Sequence, residues 1–124
     1  MYLIDTHILL WLLSEPEKLS PKVKKILQEE ELYISMASLW EIAIKQSNGK
    51  LELPFTPLDL YAICLDRDIK VKQILPLHLN QLLKLPKIHN DQFDRLIISQ
   101  AQADDLMIIT CDAQIHKYDV KTVW

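Results

Sequence analysis

Short hydrophobic runs alternate along the chain with longer segments whose hydrophobic residues recur at helical spacing. The short runs predict strands at residues 2–4, 32–36, 106–111 and 120–124, and a weak alternation predicts a third, more exposed strand at residues 69–75. The longer segments predict helices at residues 8–13, 21–30, 39–47, 58–66, 78–85, 93–104 and 113–117. Strands that alternate with helices predict an α/β fold, with a central, mostly parallel sheet of four to five strands and helices on both sides.

Polar residues at the segment ends support these boundaries. Ser20 precedes Pro21, which is an N-cap followed by proline at the first helical position. Asn90 and Asp91 supply N-caps before the sixth helix. No internal repeat, low-complexity tract or linker interrupts the pattern, so we expect residues 1–124 to form one domain.

The composition excludes several classes of protein. Of the 124 residues, 49% are hydrophobic and 25% are charged, which is typical of a globular domain. The formal net charge of −3 is not that of a generally basic nucleic-acid binder, so a nucleic acid would need a local patch or a bound cation. Gly49 is the only glycine, which excludes the Walker and Rossmann phosphate loops because both require several glycines.

Two isolated cysteines and short hydrophobic segments predict a cytoplasmic protein. Cys64 falls in a predicted helix and Cys111 in a predicted buried strand, so we expect reduced core residues rather than a zinc site or a disulfide framework. The hydrophobic run at residues 8–13 is far shorter than the roughly 20 residues of a membrane-spanning helix. It also lacks a basic leader, so we expect no signal peptide and no membrane segment.

Carboxylates stand where the predicted strands end and the predicted helices begin. Asp5 follows the first strand and Asp112 follows the fourth, while Glu41 lies in the first turn of the third helix. Asp94 lies one turn into the sixth helix, and its i+3, i+4 and i+7 neighbours are all apolar. An ionised carboxylate that faces a core is costly unless it is paired or binds a metal. In an open α/β sheet, binding sites form at the carboxyl ends of the strands.

Structural roles also explain several of these acids when they are taken singly. Asp5 suits the N-cap of the first helix, and for this residue alone that is the better interpretation. Glu41 completes a capping box with Ser38, and it also forms an i,i+4 pair with Lys45. The functional interpretation therefore depends on the four acids together.

As a set, the four acidic residues predict a metal site. Clustered carboxylates repel one another unless protons or cations neutralise them. Oxygen ligands without cysteine or paired histidines favour Mg²⁺ or Mn²⁺ over zinc. Such a metal activates water and stabilises charge on a phosphoryl group, so the pattern indicates metal-assisted hydrolysis of a phosphodiester.

Four motifs with a characteristic order and spacing are distributed over nearly the whole chain. They are Leu3-Ile4-Asp5-Thr6-His7 with Leu10-Trp11, Ser35 with Ala37-Ser38-Leu39-Trp40-Glu41-Ile42-Ala43-Ile44-Lys45, Asp91-Gln92-Phe93-Asp94-Arg95 with Gln100-Ala101, and Thr110-Cys111-Asp112. Together they resemble the PIN-domain ribonucleases of the VapC toxin type. One departure is Gln92, where many members of that family carry proline, and we expect little effect because this position only has to start a helix.

The resemblance implies a parallel sheet flanked by helices and a site for Mg²⁺ or Mn²⁺. By position, it implies that Asp5, Glu41, Asp94 and Asp112 are the catalytic and metal-binding acids, and that Thr110 supports the site through its hydroxyl. It further implies cleavage of RNA, silencing by a small antitoxin protein whose tail enters the active-site groove, and formation of a homodimer. None of the four acids is replaced, so nothing in the sequence marks an inactive member.

Four further residues have a weaker claim on the site. Thr6 follows Asp5 and is an alternative N-cap for the first helix. Asp91 is either a fifth ligand or the cap of the sixth helix, and we favour the cap. Arg95 and Lys45 adjoin proposed ligands, and they either bind phosphate or pair with carboxylates.

Histidines and tryptophans near the motifs have simple structural explanations. His7 and His89 are candidate proton carriers, but a helix flank and a loop explain them better. Trp11, Trp40 and Trp124 are most simply anchors of the core or of an interface.

Two other classes of protein stay open as alternatives. One is a non-catalytic binding module with this fold, although retention of all four acids argues against it. The other is an aspartate-based phosphatase or phosphoreceiver domain, which also places an aspartate after a strand. The phosphatase requires a second aspartate where His7 stands, and the receiver requires a lysine where Asp112 stands, so both fit poorly.

Overall fold

The computed structural model describes all 124 residues and has an α/β fold with one five-stranded sheet. The strands are β1 Tyr2–Ile4, β2 Leu32–Ser35, β3 Ile69–Lys72, β4 Met107–Ile109 and β5 Thr122–Val123. The helices are α1 Thr6–Ser14, α2 Pro21–Glu29, α3 Met36–Ser47, α4 Pro57–Asp66, α5 Pro76–Lys84, α6 Gln92–Asp104 and α7 Ala113–His116, and a 3₁₀ turn, Pro16–Lys18, follows α1. The predicted order of strands and helices is confirmed, and all neighbouring strands are parallel.

The sheet reverses its strand order beside β1. The order across the sheet is β3-β2-β1-β4-β5, so the chain first builds β2 and β3 on one side of β1 and later adds β4 and β5 on the other. Ile4 pairs with Ile109 in the register of β1 and β4, so Asp5 and Thr110 leave the sheet side by side. In open parallel sheets, this reversal point is where ligand sites usually form.

Helices cover both faces of the sheet. Successive residues of a strand point to opposite faces, and the two cores follow this alternation. Ile4 and Ile109 pack into a core with α1, α2, α3 and α4, whereas Leu3 and Ile108 pack against α6 and α7. All four of these strand residues are fully buried. None of the helices has the length and hydrophobicity that a membrane crossing requires.

The third helix begins earlier than the sequence predicts. Strand β2 ends at Ser35 and the chain turns directly into α3 at Met36, so Ser35 is the N-cap and accepts a hydrogen bond from the Ala37 N–H, with an N–Oγ distance of 2.9 Å. Ser38 therefore lies inside the helix. The predicted capping box between Ser38 and Glu41 is wrong, which removes one of the two structural explanations for Glu41.

Helix α5 also begins earlier than predicted, because Pro76 occupies its first turn and β3 has already ended at Lys72. Proline suits a first turn since its missing N–H would have no partner there. His78 is fully buried, and its Nδ1 accepts a hydrogen bond from the Leu75 N–H at 3.0 Å. Its Nε2 lies 2.8 Å from Oδ2 of Asp104 at the end of α6, so this histidine joins the two helices.

Buried His78 determines which face of α5 turns inward. Leu82 lies one turn after His78 and is partly buried, whereas Leu79 and Leu83 are 48% and 86% exposed. The helical spacing of Leu79, Leu82 and Leu83 in the sequence predicts that all three face the core, and this prediction is wrong for Leu79 and Leu83. Cys111 is likewise exposed rather than buried, because β4 ends two residues before it.

Candidate active site

Asp5 lies at the carboxyl end of β1, with only 3% of its surface exposed. Its backbone begins α1, since its carbonyl accepts a hydrogen bond from the Ile8 N–H at 3.0 Å, but its side chain makes no capping hydrogen bond. The carboxylate instead accepts a hydrogen bond from Thr110 Oγ1 at Oδ2, over 2.8 Å. An N-cap role therefore does not explain why an acidic side chain is buried here.

Thr110 connects Asp5 to Asp112. Its side chain is fully buried, and its Oγ1 donates to Asp5 and accepts from the Asp112 N–H at 3.0 Å. Asp112 Oδ1 accepts from the Gln114 N–H at 2.8 Å and so begins α7. The loop after β4 thus holds both carboxylates at the same edge of the sheet.

Asp94 is held near these two carboxylates from the first turn of α6. Its side chain is 13% exposed, and its Oδ2 lies 3.1 Å from His89 Nε2. Burial raises the pKa of Asp94 to about 6, and the negative charges of Asp91, Asp5 and Asp112 also raise it. The hydrogen bond from His89 lowers this pKa but does not offset the other effects. A carboxyl with this pKa is still largely ionised at neutral pH, at a free-energy cost to the folded chain.

Burial is also the main reason why the pKa of Asp5 is raised. The hydrogen bond from Thr110 and the charge of His7 lower this pKa, while the charge of Asp112 raises it. Asp5, Asp94 and Asp112 therefore lie close enough to repel one another. Groups with this combination of burial and like charge are common at functional sites.

Glu41 is 5% exposed, and its two carboxylate oxygens have different surroundings. Oε2 accepts a hydrogen bond from Lys45 Nζ at 2.9 Å, so the predicted i,i+4 pair is confirmed. Oε1 is buried without any hydrogen-bond partner. Leaving a buried acceptor unpaired costs about 1–3 kcal/mol, and more for a charged group. The ion pair with Lys45 therefore accounts for the burial of Oε2 but not for the burial of Oε1.

Thr6 joins the helix that carries Glu41 to the end of β1. Its Oγ1 donates to Ser38 Oγ at 2.8 Å, and both side chains are buried. Glu41 lies three residues after Ser38, on the same face of α3.

Two of the weaker candidates have structural contacts. Asp91 is exposed and its Oδ1 accepts from the Asp94 N–H at 2.9 Å, which confirms its role as the cap of α6. Arg95 donates to the carbonyl oxygens of Pro86 and Leu85 at 2.8 and 3.4 Å. It therefore pairs with backbone carbonyls rather than with a carboxylate.

His89 and Tyr118 belong to the site in ways that sequence reasoning missed. His89 lies in a loop as predicted, but its side chain lies between Asp94 and Tyr118. Tyr118 is buried and comes 29 residues later in the chain, where no pattern marks it as part of a site. His7 is exposed on the first helix as predicted, and Trp40 is 54% exposed, with its ring edge-on to Phe93.

The donor set fits a hard divalent cation. Carboxylate and hydroxyl oxygens are the ligands that Mg²⁺ and Mn²⁺ prefer, and the unpartnered Oε1 of Glu41 is an oxygen that a cation would satisfy. No three acidic, histidine or cysteine side chains lie close enough together to form a ready-made metal site. The residues therefore suit a divalent cation by their oxygen chemistry and their burial, and not by a preformed coordination geometry.

Comparison with known proteins identifies the fold. The PIN domain family profile matches residues 2–121. A chain of the VapBC2 structure from Rickettsia felis, bound to a promoter DNA fragment, is 15% identical with a TM-score of 0.75 over 98% of this chain and 96% of that one. A chain of VapBC-1 from nontypeable Haemophilus influenzae is 17% identical with a TM-score of 0.69, over 98% and 96% of the two chains. A chain of a toxin–antitoxin complex from Klebsiella pneumoniae is 17% identical with a TM-score of 0.67, over 100% of this chain and 97% of that one.

Among curated protein sequences, none matches this chain at a significant level. The family profile nevertheless covers nearly all of the sequence, from the first residue of β1 to the residue before β5. The parallel sheet, the order of the elements and the family match agree with one another. The chain belongs to the PIN domain family.

Proposed function

We propose that this chain is a metal-dependent endoribonuclease of the VapC toxin type, which hydrolyses phosphodiester bonds in RNA. The observation that carries the proposal is that Asp5, Asp94 and Asp112 lie close enough to repel one another beside the reversal point of a PIN-domain sheet. Burial and mutual repulsion make this arrangement costly for the folded chain, and a bound cation would offset that cost. The three acids are therefore better explained by function than by stability.

Each residue of the site has a distinct proposed role. Asp5, Asp94 and Asp112 would hold Mg²⁺ or Mn²⁺, and Glu41 would be a further ligand or a base that holds a water molecule. A divalent metal bound there activates water and stabilises negative charge on the phosphoryl group. Lys45 keeps Oε2 of Glu41 occupied and so leaves Oε1 available.

The charge of the chain is consistent with a cation at the site. The net charge is −3, and the buried acids concentrate negative charge at the edge of the sheet where RNA would have to bind. A polyanion approaching bare carboxylates would be repelled. Bound cations would reverse the sign of the local field, so RNA binding and metal binding are proposed to be linked.

We further propose that a small antitoxin protein silences the chain and that the chain forms a homodimer in the cytoplasm. Three solved structures with this fold come from complexes whose names identify them as VapBC or toxin–antitoxin assemblies. A largely apolar groove of about 440 Å³ between α3 and α4 includes Trp40, Leu58 and Tyr61, which suits an apolar protein segment. Leu79 and Leu83 on α5 add an exposed apolar surface.

Cleavage of a mixed RNA substrate tests the enzymatic part of this proposal. The chain, freed of any partner, is incubated with Mn²⁺, with Mg²⁺ and with chelator, beside an Asp5→Asn variant purified identically. An Asp119→Asn variant is the matched control, because Asp119 is exposed and lies outside the site. We expect cleavage by the parent and the control only when metal is present, and none by Asp5→Asn.

Two outcomes would contradict the proposal. Equal cleavage by Asp5→Asn and the parent would show that a contaminating nuclease, rather than this site, is responsible. No cleavage by any sample with either metal, across transfer, ribosomal and messenger RNA, would favour the non-catalytic binding module instead.

A further inference from the structure

His89 and Tyr118 link Asp94 to the segment that follows α7. His89 Nε2 lies 3.1 Å from Asp94 Oδ2, and its Nδ1 lies 2.7 Å from Tyr118 Oη. The two rings meet edge to face, with their centroids 5.4 Å apart. Tyr118 is 4% exposed and the His89 side chain is 14% exposed, so water competes little for these hydrogen bonds.

The donors around Tyr118 fix the direction of each hydrogen bond. Its Oη accepts from the backbone N–H of His89 at 3.2 Å and from Arg95 Nη1 at 3.3 Å, and neither nitrogen can accept a proton in return. The phenol proton therefore points to Nδ1 of His89. A neutral imidazole that accepts at Nδ1 carries its proton on Nε2, which donates to Asp94 Oδ2.

This network leaves one oxygen of Asp94 free. Oδ2 receives the proton of His89, whereas Oδ1 has no hydrogen-bond partner within the chain. Arg95 is itself anchored by the carbonyl oxygens of Pro86 and Leu85, so the network is fixed at both ends. A carboxylate held by one oxygen presents the other in a defined direction, which is how the surroundings of metal ligands commonly orient them.

We propose that His89 and Tyr118 are positioning residues that orient Asp94 so that its Oδ1 can bind the divalent cation. The inference rests on the proposed function, because the cation is the one assigned there to Asp5, Asp94 and Asp112. His89 and Tyr118 act through Asp94 and do not themselves contact the substrate.

Removing the hydroxyl of Tyr118 tests this network most directly, because His89 and Arg95 both form hydrogen bonds with it. Tyr118→Phe removes that hydroxyl and keeps the ring, and Tyr33→Phe is the matched control because its hydroxyl bonds only to surface Glu31 and Met1. Mn²⁺ affinity is measured by the electron paramagnetic resonance signal of the free ion, without RNA. We expect Tyr118→Phe to weaken Mn²⁺ binding about 10-fold to 100-fold and Tyr33→Phe to leave it unchanged.

Two substitutions of His89 distinguish orientation from general packing. The amide nitrogen of His89→Gln reaches the position of Nε2 and can still donate to Asp94, whereas the shorter side chain of His89→Asn ends at the position of Nδ1. We therefore expect His89→Gln to retain most of the Mn²⁺ affinity and His89→Asn to lose it. Equal affinities of the two variants would overturn the positioning role.

The tautomer of His89 provides a readout that needs neither metal nor activity. In the metal-free chain, at a pH well above the ordinary histidine value of about 6.5, ¹⁵N chemical shifts should show the proton on Nε2 in the parent and a mixture in Tyr118→Phe. A proton on Nδ1 in the parent would overturn the inference. So would parental Mn²⁺ affinity in Tyr118→Phe, although the proposed function would stand if Asp94→Asn still lost the metal. A parent chain without Mn²⁺ affinity would overturn both proposals.

Discussion

Replacing Asp94 by asparagine is expected to reduce RNA cleavage roughly 10³-fold and, at neutral pH, to stabilise the metal-free chain. RNA cleavage falls because the variant lacks one charged metal ligand. A roughly 10³-fold loss of rate corresponds to about 4 kcal/mol of transition-state stabilisation. The free energy of unfolding of the metal-free chain rises because the variant no longer buries an ionised carboxylate among like charges. Cleavage rates and urea unfolding of the same preparations measure the two effects.

The sign of the stability change follows from the direction of the pKa shift. The pKa of Asp94 is raised from 3.8 to about 6 in the folded chain, so the folded chain holds this proton more tightly than the unfolded chain does. Folding stability therefore falls as the pH rises from about 4 to about 6, by on the order of 3 kcal/mol, and stays lower above that range. Asparagine does not ionise, so the advantage of the variant appears only above about pH 4 and is complete above about pH 6.

Asp119→Asn is again the control, since its exposed carboxylate should give no change in either quantity. A variant that is both inactive and destabilised at neutral pH would contradict this account. It would indicate that Asp94 stabilises the fold through His89 rather than being held there for function.

Mn²⁺ is expected to stabilise the parent chain strongly at neutral pH and weakly in acid. A ligand present at about 100 times its dissociation constant raises the free energy of unfolding by about 2.7 kcal/mol. Protonated Asp94 cannot bind a cation, so this gain should shrink as the pH falls through about 6. Because the pKa of Asp5 is also raised, its protonation in acid should weaken Mn²⁺ binding further.

Urea unfolding with and without Mn²⁺, at about pH 7.5 and about pH 5, measures this dependence. Asp94→Asn should gain little from Mn²⁺ at either pH, whereas Asp119→Asn should behave as the parent does. An equal gain for the parent at both pH values would contradict the assignment of the cation to these carboxylates.

The fold was largely predictable because its strands are short, apolar and separated by well-capped helices. Runs such as residues 2–4 and 106–111 have no polar face, which is typical of a parallel sheet covered on both sides. Helix starts were predictable where the cap was unambiguous, as at Ser20 before Pro21. The start of α3 was not, because Ser35 and Ser38 both suit an N-cap and only the end of β2 selects between them.

The candidate site was predictable in its acids and unpredictable in their surroundings. Asp5 and Asp112 follow strands that the sequence marks clearly, so their meeting follows from a parallel sheet. The contacts of Asp94 with His89, and of His89 with Tyr118, join segments that no periodicity relates. The burial of His78 was missed for the same reason, since its partner Asp104 lies 26 residues away on another helix.

The central claim is that Asp5, Asp94 and Asp112 form the metal centre of this PIN domain. Crystals of the partner-free chain soaked in Mn²⁺ and measured for anomalous scattering test this most directly. We expect a peak within roughly 2.0–2.6 Å of carboxylate oxygens from Asp5 and at least one of the other two aspartates, the range for oxygen-bound divalent cations. A peak only elsewhere on the chain, or no peak with Mn²⁺ in excess, would contradict the claim.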